Sequence, residues 1–513
     1  MMHRLRIATS VVLVVAGWAF AVQAAPDPAR AAADRWRAAH EKPILDEFST
    51  FVAMPDVATN LADVDRNAAK LTEMMRARGF AVRLLRDAPG TPATVYGELA
   101  TPGATRTVLF YAHYDGQPVG QKGWRSPPFT PVMRSGALST DPKTVDWRAA
   151  ATPLDPNDRL FARAGADDKV TIEALLAAMD ALKAAGLRPS VNIKLFYEGE
   201  EEQGSPHLGA IVGANKGLLA NDLIVMGDGP MHQSGRQMVN FGSRGVIGAR
   251  LTVFGPLRPL HDGHYGSWAP SPAVEIADLL ASLRDDDGHI KIPGFYADAR
   301  RPTAMEQAAL AALPAVEAPL AHDLGIVPIT PERLANSYFN PTLNVRAIHV
   351  GDSGPEAANA IAIEASASID VRIVPKMTPG AVRTLVERFL ADQGWLVVAA
   401  PPDLATRLAH PKIVRIDWEE GATLPVRTDM ASPAALAAVG AIARVEGEPV
   451  LKLPMSGASS GIAVMVQDLA APMIGVSIAN YDDNQHAENE NIRLGNLWDG
   501  IAVYAALLSD PRW

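Results

Sequence analysis

Hydrophobic positions near the start of the chain recur at the spacing of a helix. Trp36, Ile44 and Phe48 belong to such a pattern between residues 29 and 86, which predicts helical structure there. A second helix is predicted over residues 64–78, because Gly79 is a favourable terminator. Short apolar runs then replace the helical spacing and predict the strands Ala81–Leu85, Thr94–Leu99 and Thr107–Ala112.

Strands and helices alternate along the next part of the chain. Residues 117–157 are rich in Pro, Gly and Ser, which predicts an ordered loop. The elements predicted after this loop are a short strand, a helix and two further strands: Leu160–Arg163, Lys169–Lys183, Val191–Tyr197 and Asp222–Met226. Such alternation is typical of an α/β fold, in which a mostly parallel sheet carries helices on both faces.

The pattern changes near Gln237 and changes back near Thr428. The segment between them predicts a second sheet with its own helices, built from Val239–Asn240, Ile247–Phe254, Pro272–Leu283, Ser366–Val374 and Pro379–Gln393. The α/β pattern then resumes with the helix Ser432–Val445 and the strand Met473–Ile478. We therefore predict one α/β domain in two pieces, residues 25–237 and 421–513, around an inserted α+β domain of residues 238–420.

The N-terminal residues resemble a targeting segment. Arg4 and Arg6 precede an apolar run over residues 7–22, and small residues follow around Ala24. This order predicts a signal peptide of residues 1–24, cleaved near Ala24, and export to a bacterial periplasm. The alternative is an uncleaved membrane anchor, for which the run is short. No later segment is long and apolar enough to cross a bilayer, so no membrane association beyond export is expected.

Composition narrows the chemistry. The chain has 513 residues, which is too many for a single core. Its formal net charge of −10 argues against a nucleic-acid partner, because such proteins carry a basic face. It has no cysteine, which excludes disulfides, thiol catalysis and cysteine zinc sites. Any transition metal must therefore be held by His and carboxylate side chains.

Histidines and carboxylates follow five of the predicted strands. Taken singly, Asp167 has the character of a helix N-cap and the acidic run of residues 198–202 that of a solvated turn. Ligands of open α/β sheets, however, bind beyond the carboxyl ends of the strands, and carboxylates crowded at one edge repel each other. Two divalent cations would remove that repulsion. The residues at these strand ends are His113, Asp115, Asp167, Glu201, Glu202, Asp228 and His486.

The ordered set His-x-Asp, Asp-Asp-Lys, Glu-Glu-x-Gly, Asp and a late His resembles the dizinc peptidase family of carnosinases, bacterial glutamate carboxypeptidase and aminoacylases. The resemblance covers nearly the whole chain after the signal peptide and is strongest to the carnosinase-type dipeptidase branch, through residues 198–202 and 368–375. It implies a two-metal hydrolase with an inserted lid and dimerisation domain. Zinc is the expected metal, and manganese or cobalt also suits His and carboxylate ligands.

The resemblance also implies a role for each residue of the site. Asp167 would bridge both metals, His113 and Asp228 would complete one, and Glu202 and His486 the other. The remaining roles are a general base, a residue that orients His113, a donor to the oxyanion of the neighbouring subunit, two residues on the substrate carboxylate and a hydrogen-bonding serine: Glu201, Asp115, His261, Asn359, Arg372 and Ser459. A homodimer formed through the insert is therefore expected.

Two substrate classes are compatible with these residues. The first is dipeptides or small peptides with a free carboxylate, cleaved by water that the metals activate and Glu201 deprotonates. The second is N-acyl amino acids, cleaved by a related amidohydrolase with the same machinery. A third possibility, from another class, is an inactive binding protein stabilised by metal. The loss of Glu201 or of a ligand would favour this alternative, and all of these residues are present.

Overall fold

Buried apolar strands assemble into an eight-stranded mixed sheet in the computed structural model, which describes residues 27–512 apart from residues 121, 353, 355 and 356. The predicted signal peptide lies outside the described residues. The middle strands of the sheet are parallel to each other, and antiparallel pairs occur on both sides of them. The spatial order is Ala81–Leu85, Thr94–Leu99, Asn192–Glu198, Thr107–His113, Leu223–Met226, Met473–Gly475, Met238–Asn240 and Leu451–Leu453.

Both faces of this sheet are covered by helices, because its central strands are apolar on both sides. In the strand Thr107–His113, Val108 and Phe110 enter one core while Leu109 and Tyr111 enter another. The helices of the first face are Pro28–Val52, Leu61–Ala77, Val170–Ala184, Pro433–Glu446 and Leu494–Ser509. Those of the second face are Leu208–Ala214, Lys216–Leu219 and Ala463–Leu469.

A second sheet of five strands forms a core of its own. Its order is Thr342–His349, Glu364–Ile373, Gly245–Phe254, Ile413–Trp418 and Leu396–Val398. The helices Pro272–Leu283 and Pro379–Asp392 pack on it with their apolar faces. Shorter helices complete the unit: Asp262–Tyr265, Ala304–Ala312, Glu317–Leu324, Leu334–Ser337 and Leu404–Ala409. The predicted α/β fold with an inserted α+β unit is confirmed.

One predicted strand belongs to the other sheet. We expected Val239–Asn240 in the second sheet, but Met238–Asn240 pairs in parallel with Leu451–Leu453 inside the first. Val239 is fully buried in the core of the first sheet, while the strands of the second sheet begin at Gly245. A three-residue run carries no signal of its sheet, since only long-range pairing decides it. The domain boundaries near residues 237 and 421 stay predictions.

Small sheets tie the remaining segments together. Leu260–His261 pairs with Ala360–Ile361, and Gly242–Ser243 with Val426–Arg427. The loop of residues 117–157 is anchored by Val132–Arg134, which joins a three-stranded sheet. The other strands of that sheet are Arg159–Phe161 and Asn491–Arg493. Among the helices of the described residues, none has the length and apolar character needed to cross a membrane.

Candidate metal centre and active site

Three neighbouring strands bring their carboxyl ends to one edge of the eight-stranded sheet. Thr107–His113 lies between Asn192–Glu198 and Leu223–Met226 and runs parallel to both. The chain continues from these three ends into loops that carry Asp115, Glu201, Glu202 and Asp228. Ligands of open α/β sheets bind at such an edge, so the topology alone concentrates the predicted site residues.

Two groups of side chains share one carboxylate at this edge. His113, Asp167 and Asp228 form the first, and Asp167, Glu202 and His486 form the second; within each, one potential ligand atom per residue lies within 4.8 Å of the others. His113 Nε2 is 2.9 Å from Asp167 Oδ1, and His486 Nε2 is 3.1 Å from Asp167 Oδ2. All five residues predicted as metal ligands therefore lie together, with Asp167 between the two groups.

The charges of these groups fit a pair of divalent cations. Burial raises the pKa of Asp228 well above its usual range, and the charge of Asp167 raises it further. Burial likewise raises the pKa of Glu202 to about 7, again with a contribution from Asp167. Ionised carboxylates this close repel each other, and cations bound between them relieve the repulsion. The set of His and carboxylate donors suits a transition metal such as zinc, manganese or cobalt.

Asp115 connects the first ligand to the general-base candidate. Its carboxylate oxygens accept hydrogen bonds from the backbone N–H groups of Glu201 and Glu202, both at 3.1 Å. His113 Nδ1 lies 3.1 Å from the Asp115 carbonyl oxygen and 3.4 Å from its carboxylate. The fully buried Asp115 therefore fixes the turn Glu201–Gln203 as well as the His113 ring. The contact of Asp115 with the backbone of Glu201 and Glu202 was not predicted from the sequence.

Glu201 stands beside the two groups and belongs to neither. Its side chain lines a cavity of about 570 Å³ that also reaches Asp167 and Asp228. The hydroxyl of Ser460 donates a hydrogen bond to Glu201 Oε1 at 3.3 Å. Burial raises the pKa of the Glu201 carboxyl, and the charges of Asp115 and Asp167 add to this effect. A carboxylate held in this way next to a metal pair is placed to take a proton from bound water.

Comparison with known proteins agrees with this geometry. The model of peptidase family M20/M25/M40 matches residues 109–510. The chain belongs to this family. It is therefore a peptidase, and the resemblance drawn from its motifs is confirmed.

Among the relatives of this family member is the Cys-Gly metallodipeptidase dug1 of Schizosaccharomyces pombe, 25% identical over 91% of the chain and 93% of the relative. The Beta-Ala-His dipeptidase of Homo sapiens is 26% identical over 81% of the chain and 76% of the relative. The M20 family metallo-carboxypeptidase Sso-CP2 from Sulfolobus solfataricus superimposes with a TM-score of 0.73. That match has 25% identity and covers 91% of this chain and 98% of the solved one.

Glu490 supports the metal centre of this peptidase, and we did not predict it. Its fully buried carboxylate accepts hydrogen bonds from the backbone N–H groups of Ala164, Ala166 and Asp167 at 2.9–3.1 Å. It also pairs with Arg163 at 2.8 Å. Glu490 therefore fixes the turn that presents Asp167. Its sequence neighbourhood, four residues after His486, was the only available signal.

Two glutamine side chains also contact the predicted ligands. Gln485 Nε2 donates to Asp167 Oδ2 at 2.7 Å, and Gln117 Nε2 donates to Glu202 Oε2 at 2.6 Å. Both amides therefore hold carboxylates of the predicted metal ligands. Nothing in the sequence pattern distinguishes these glutamines from others on the surface, so they were not predicted.

The residues predicted to hold substrate fall into two separate places. Arg372 Nη1 donates to the Ser459 hydroxyl at 3.0 Å, on the loop whose next residue, Ser460, contacts Glu201. His261 and Asn359 lie elsewhere, adjacent to each other through the hydrogen bond from Asp262 N to Asn359 O.

The strand Glu364–Ile373 separates these two places. Asn359 precedes this strand, and Arg372 lies near its far end; the strand itself spans roughly 25 Å from Glu364 to Arg372. His261 has a side chain that is 58% exposed. Neither His261 nor Asn359 lines the cavity that holds Glu201, Asp167 and Asp228.

Proposed function

We propose that this peptidase hydrolyses dipeptides with a free C-terminal carboxylate, using two divalent metal ions. The observation that carries the proposal is the pair of ligand groups sharing Asp167, with Glu201 beside both and in neither. Two relatives of this chain are named dipeptidases, which supports a substrate of two residues.

The chain's own residues have defined tasks in this reaction. Two metal ions held by the groups that share Asp167 would acidify a water molecule and would stabilise negative charge on the substrate. Glu201 accepts a proton from that water and delivers it to the leaving amine, acting as base and then as acid. Ser460 and Asp115 hold Glu201 by its carboxylate and its backbone. Arg372 pairs with the substrate carboxylate, which fits the planar guanidinium through two hydrogen bonds.

We propose zinc as the metal bound by the native protein. The ligands are two histidines and three carboxylates, a set that zinc accepts and that manganese and cobalt also accept. Metal analysis of protein purified without added metal tests this assignment. Two equivalents of zinc per chain are expected, and a dominant content of manganese or cobalt would replace it.

We also propose a homodimer whose insert completes the partner's active site. His261 is more than half exposed and lies next to Asn359, outside the cavity that holds Glu201 in its own chain. Exposed apolar side chains lie at the end of the short helix Asp262–Tyr265, which follows His261, and just beyond it: Tyr265 is 38% exposed and Trp268 82%. Such side chains suit a protein interface. In this arrangement His261 donates a hydrogen bond to the oxyanion formed at the neighbouring site.

Export to a periplasm is part of the same proposal. The basic and apolar pattern of residues 1–24 supports it. Fractionation of cells that express the full chain tests it, together with N-terminal sequencing of the product. A product that begins near Ala25 in the periplasmic fraction is expected, whereas an uncleaved cytoplasmic product would contradict export.

A substrate panel tests the activity itself. Purified protein would be assayed on L,L-dipeptides and on N-acyl amino acids, before and after treatment with a chelator. Dipeptide hydrolysis that stops on chelation and returns with zinc is expected. Cleavage restricted to N-acyl amino acids would instead assign the protein as an amidohydrolase, and activity that persists without metal would refute the two-metal mechanism.

A further inference from the structure

Arg244 lies in the wall of the active-site cavity, close to Arg372. It directly precedes the strand Gly245–Phe254, in which Val246 pairs with Arg372 of the neighbouring strand. The cavity that Arg244 lines is the one that reaches Glu201. Arg244 lies two positions before Val246, the residue directly opposite Arg372. Because side chains alternate between the two faces of a sheet, the guanidinium groups of Arg244 and Arg372 lie on the same side.

The two arginines differ in their partners. Arg372 pairs with the carboxylate of Asp370 at 3.1 Å. Arg244 donates from Nε and Nη2 to the carbonyl oxygen of Gly457, at 3.1 and 3.0 Å, and lies over the ring of Tyr338. Among the side chains that the structure describes, no carboxylate pairs with Arg244.

Arg244 is thus a half-buried cation that no carboxylate of the described residues contacts directly. Burial lowers the pKa of Arg244 to about 10, and the neighbouring charge of Arg372 contributes. Removing a cation from water beside a second cation is costly unless an anion compensates it. The carbonyl oxygen of Gly457, the ring of Tyr338 and the nearby charge of Asp370 provide partial compensation. Because Asp370 is already paired with Arg372, the arrangement still favours binding of an anion.

One loop connects this cation pair to the general base. Gly457 accepts from Arg244, Ser459 accepts from Arg372, and Ser460 donates to Glu201. A Cβ atom added to Gly457 would approach Tyr338 to 2.8 Å and Arg244 to 3.1 Å, so the loop packs closely against both. An anion held by the two arginines would therefore lie close to Glu201, the group that accepts the proton.

We propose that Arg244 is a second cation of the substrate-carboxylate subsite, where it binds the C-terminal carboxylate together with Arg372. This inference rests on the proposed function and deepens it. Two guanidinium groups around one carboxylate set the distance from the chain end to the scissile bond. That arrangement restricts cleavage to substrates in which a single residue follows the bond.

A purely structural role for Arg244 predicts a different result. If the side chain only ties the loop at Gly457, its loss moves Ser460 and Glu201 and lowers turnover of every substrate equally. A role in binding the carboxylate instead raises KM selectively for substrates that carry one. Comparing a dipeptide with its C-terminal amide separates the two roles.

The experiment compares Arg244→Gln, Arg244→Lys and Arg250→Gln in the metal-loaded enzyme. Arg250 is a matched control, because it lies on the strand that Arg244 precedes, is exposed and does not line the cavity. The substrates are L-alanyl-L-leucine and L-alanyl-L-leucinamide. Arg244→Gln is expected to raise KM for the dipeptide roughly 10- to 100-fold, the range for one charge-assisted hydrogen bond, and to leave KM for the amide unchanged. Arg244→Lys should fall between, and Arg250→Gln should match the wild type.

Equal losses on both substrates, or an unchanged KM for the dipeptide, would overturn the inference. Calorimetry keeps its failure distinct from that of the proposed function. Metal-loaded wild-type protein should bind L-leucine more tightly than L-leucinamide, and Arg244→Gln should abolish the difference. A wild type without dipeptidase activity refutes the proposed function, while this binding comparison still decides the role of Arg244.

Discussion

The acidic run Glu198–Glu202 contains four carboxylates with four different environments. Glu198 is buried, and its carboxylate accepts a hydrogen bond from the Tyr111 hydroxyl at 2.7 Å. Glu200 pairs with His207, Glu201 faces the cavity, and Glu202 approaches His486 at 3.3 Å. A solvated turn, the usual meaning of such a run, does not describe it. The environment of each side chain is set by the residues that it contacts in the folded protein.

Glu201→Gln tests the general base. Glutamine keeps the shape and the hydrogen bond from Ser460 but cannot accept the proton, so kcat is expected to fall by roughly 10²- to 10⁴-fold. Metal content should stay unchanged, because Glu201 belongs to neither ligand group. Steady-state kinetics and metal analysis on the same preparation provide the readouts. A kcat within a few-fold of wild type would remove Glu201 from this role.

Glu173 makes stability depend on pH. Its carboxylate is buried in the helix Val170–Ala184 and has no hydrogen-bond partner among the described residues. Burial raises its pKa well above the usual 4.5, and the charge of Glu47 raises it further. Because the folded-state pKa exceeds the unfolded one, folding takes up a proton. The contribution of Glu173 is fully present below about pH 4.5 and is lost as pH rises through the folded pKa.

Glu173→Gln removes that titration. Relative to wild type, the variant is expected to gain stability as pH rises above about 4.5, by about 1.4 kcal/mol for each pH unit over which only the folded wild type is protonated. Urea unfolding at several pH values measures it. Glu73→Gln is the control, since Glu73 is 73% exposed and on a neighbouring helix. A difference that does not vary with pH would show that Glu173 is ionised in the folded protein.

At the scale of elements, the turn Gly165–Lys169 is assembled by distant parts of the chain. The carboxylate of Glu490, near the C-terminal end of the chain, accepts hydrogen bonds from backbone N–H groups of this turn. Lys169 forms an ion pair with Asp56 at 2.7 Å, in which both side chains are fully buried. The turn therefore depends on two buried charged partners, and it presents the one carboxylate common to both ligand groups.

Glu490→Gln should loosen this turn and weaken metal binding. Residues that hydrogen-bond to metal ligands, or that hold them in place, typically contribute 10- to 100-fold to metal affinity. A loss of about that size is expected. Competition with a chelating dye measures it. Glu488→Gln is the matched control, because Glu488 lies on the same loop but is exposed. Equal affinities for the two variants would show that Glu490 acts on folding alone.

The whole molecule separates residues that the proposed mechanism needs together. His261 and Asn359 lie on the insert, at the opposite end of Glu364–Ile373 from Arg372. In the proposed homodimer a second copy of the chain would supply them, since neither residue lines the cavity of its own chain. Dimerisation would thus be part of catalysis rather than an aid to stability alone.

Mixing two inactive variants tests this arrangement. His261→Ala lacks the donor and Glu201→Gln lacks the base, so each homodimer should have low activity. In a mixed dimer, the His261→Ala subunit keeps Glu201 and receives His261 from its partner. After the subunits are exchanged, roughly a quarter of wild-type activity is expected, since about half of the dimers are mixed and each has one complete site. A mixture no more active than its components would place His261 outside the neighbouring site.

Prediction succeeded where the signal is local. Strand Thr107–His113 and helix Pro272–Leu283 were predicted to within one residue, because buried apolar runs and helical spacing are read within a single element. Val239–Asn240 was assigned to the wrong sheet, because a short strand is defined by its partner. The serine that contacts Glu201 was also missed, since Ser459 and Ser460 are equivalent in sequence and differ only in what they face.

The sequence by itself determined the fold class, the family and the kind of site. Apolar runs followed by polar residues define strand ends, and the absence of cysteine leaves only His and carboxylates as metal ligands. Only the tertiary structure decided which side chains support that site. Glu490 contacts Asp167 across 323 positions, and Ser460 contacts Glu201 across 259. The position of Arg244 beside Arg372 likewise follows from strand register, which is set when distant elements pack and is not encoded in any one of them.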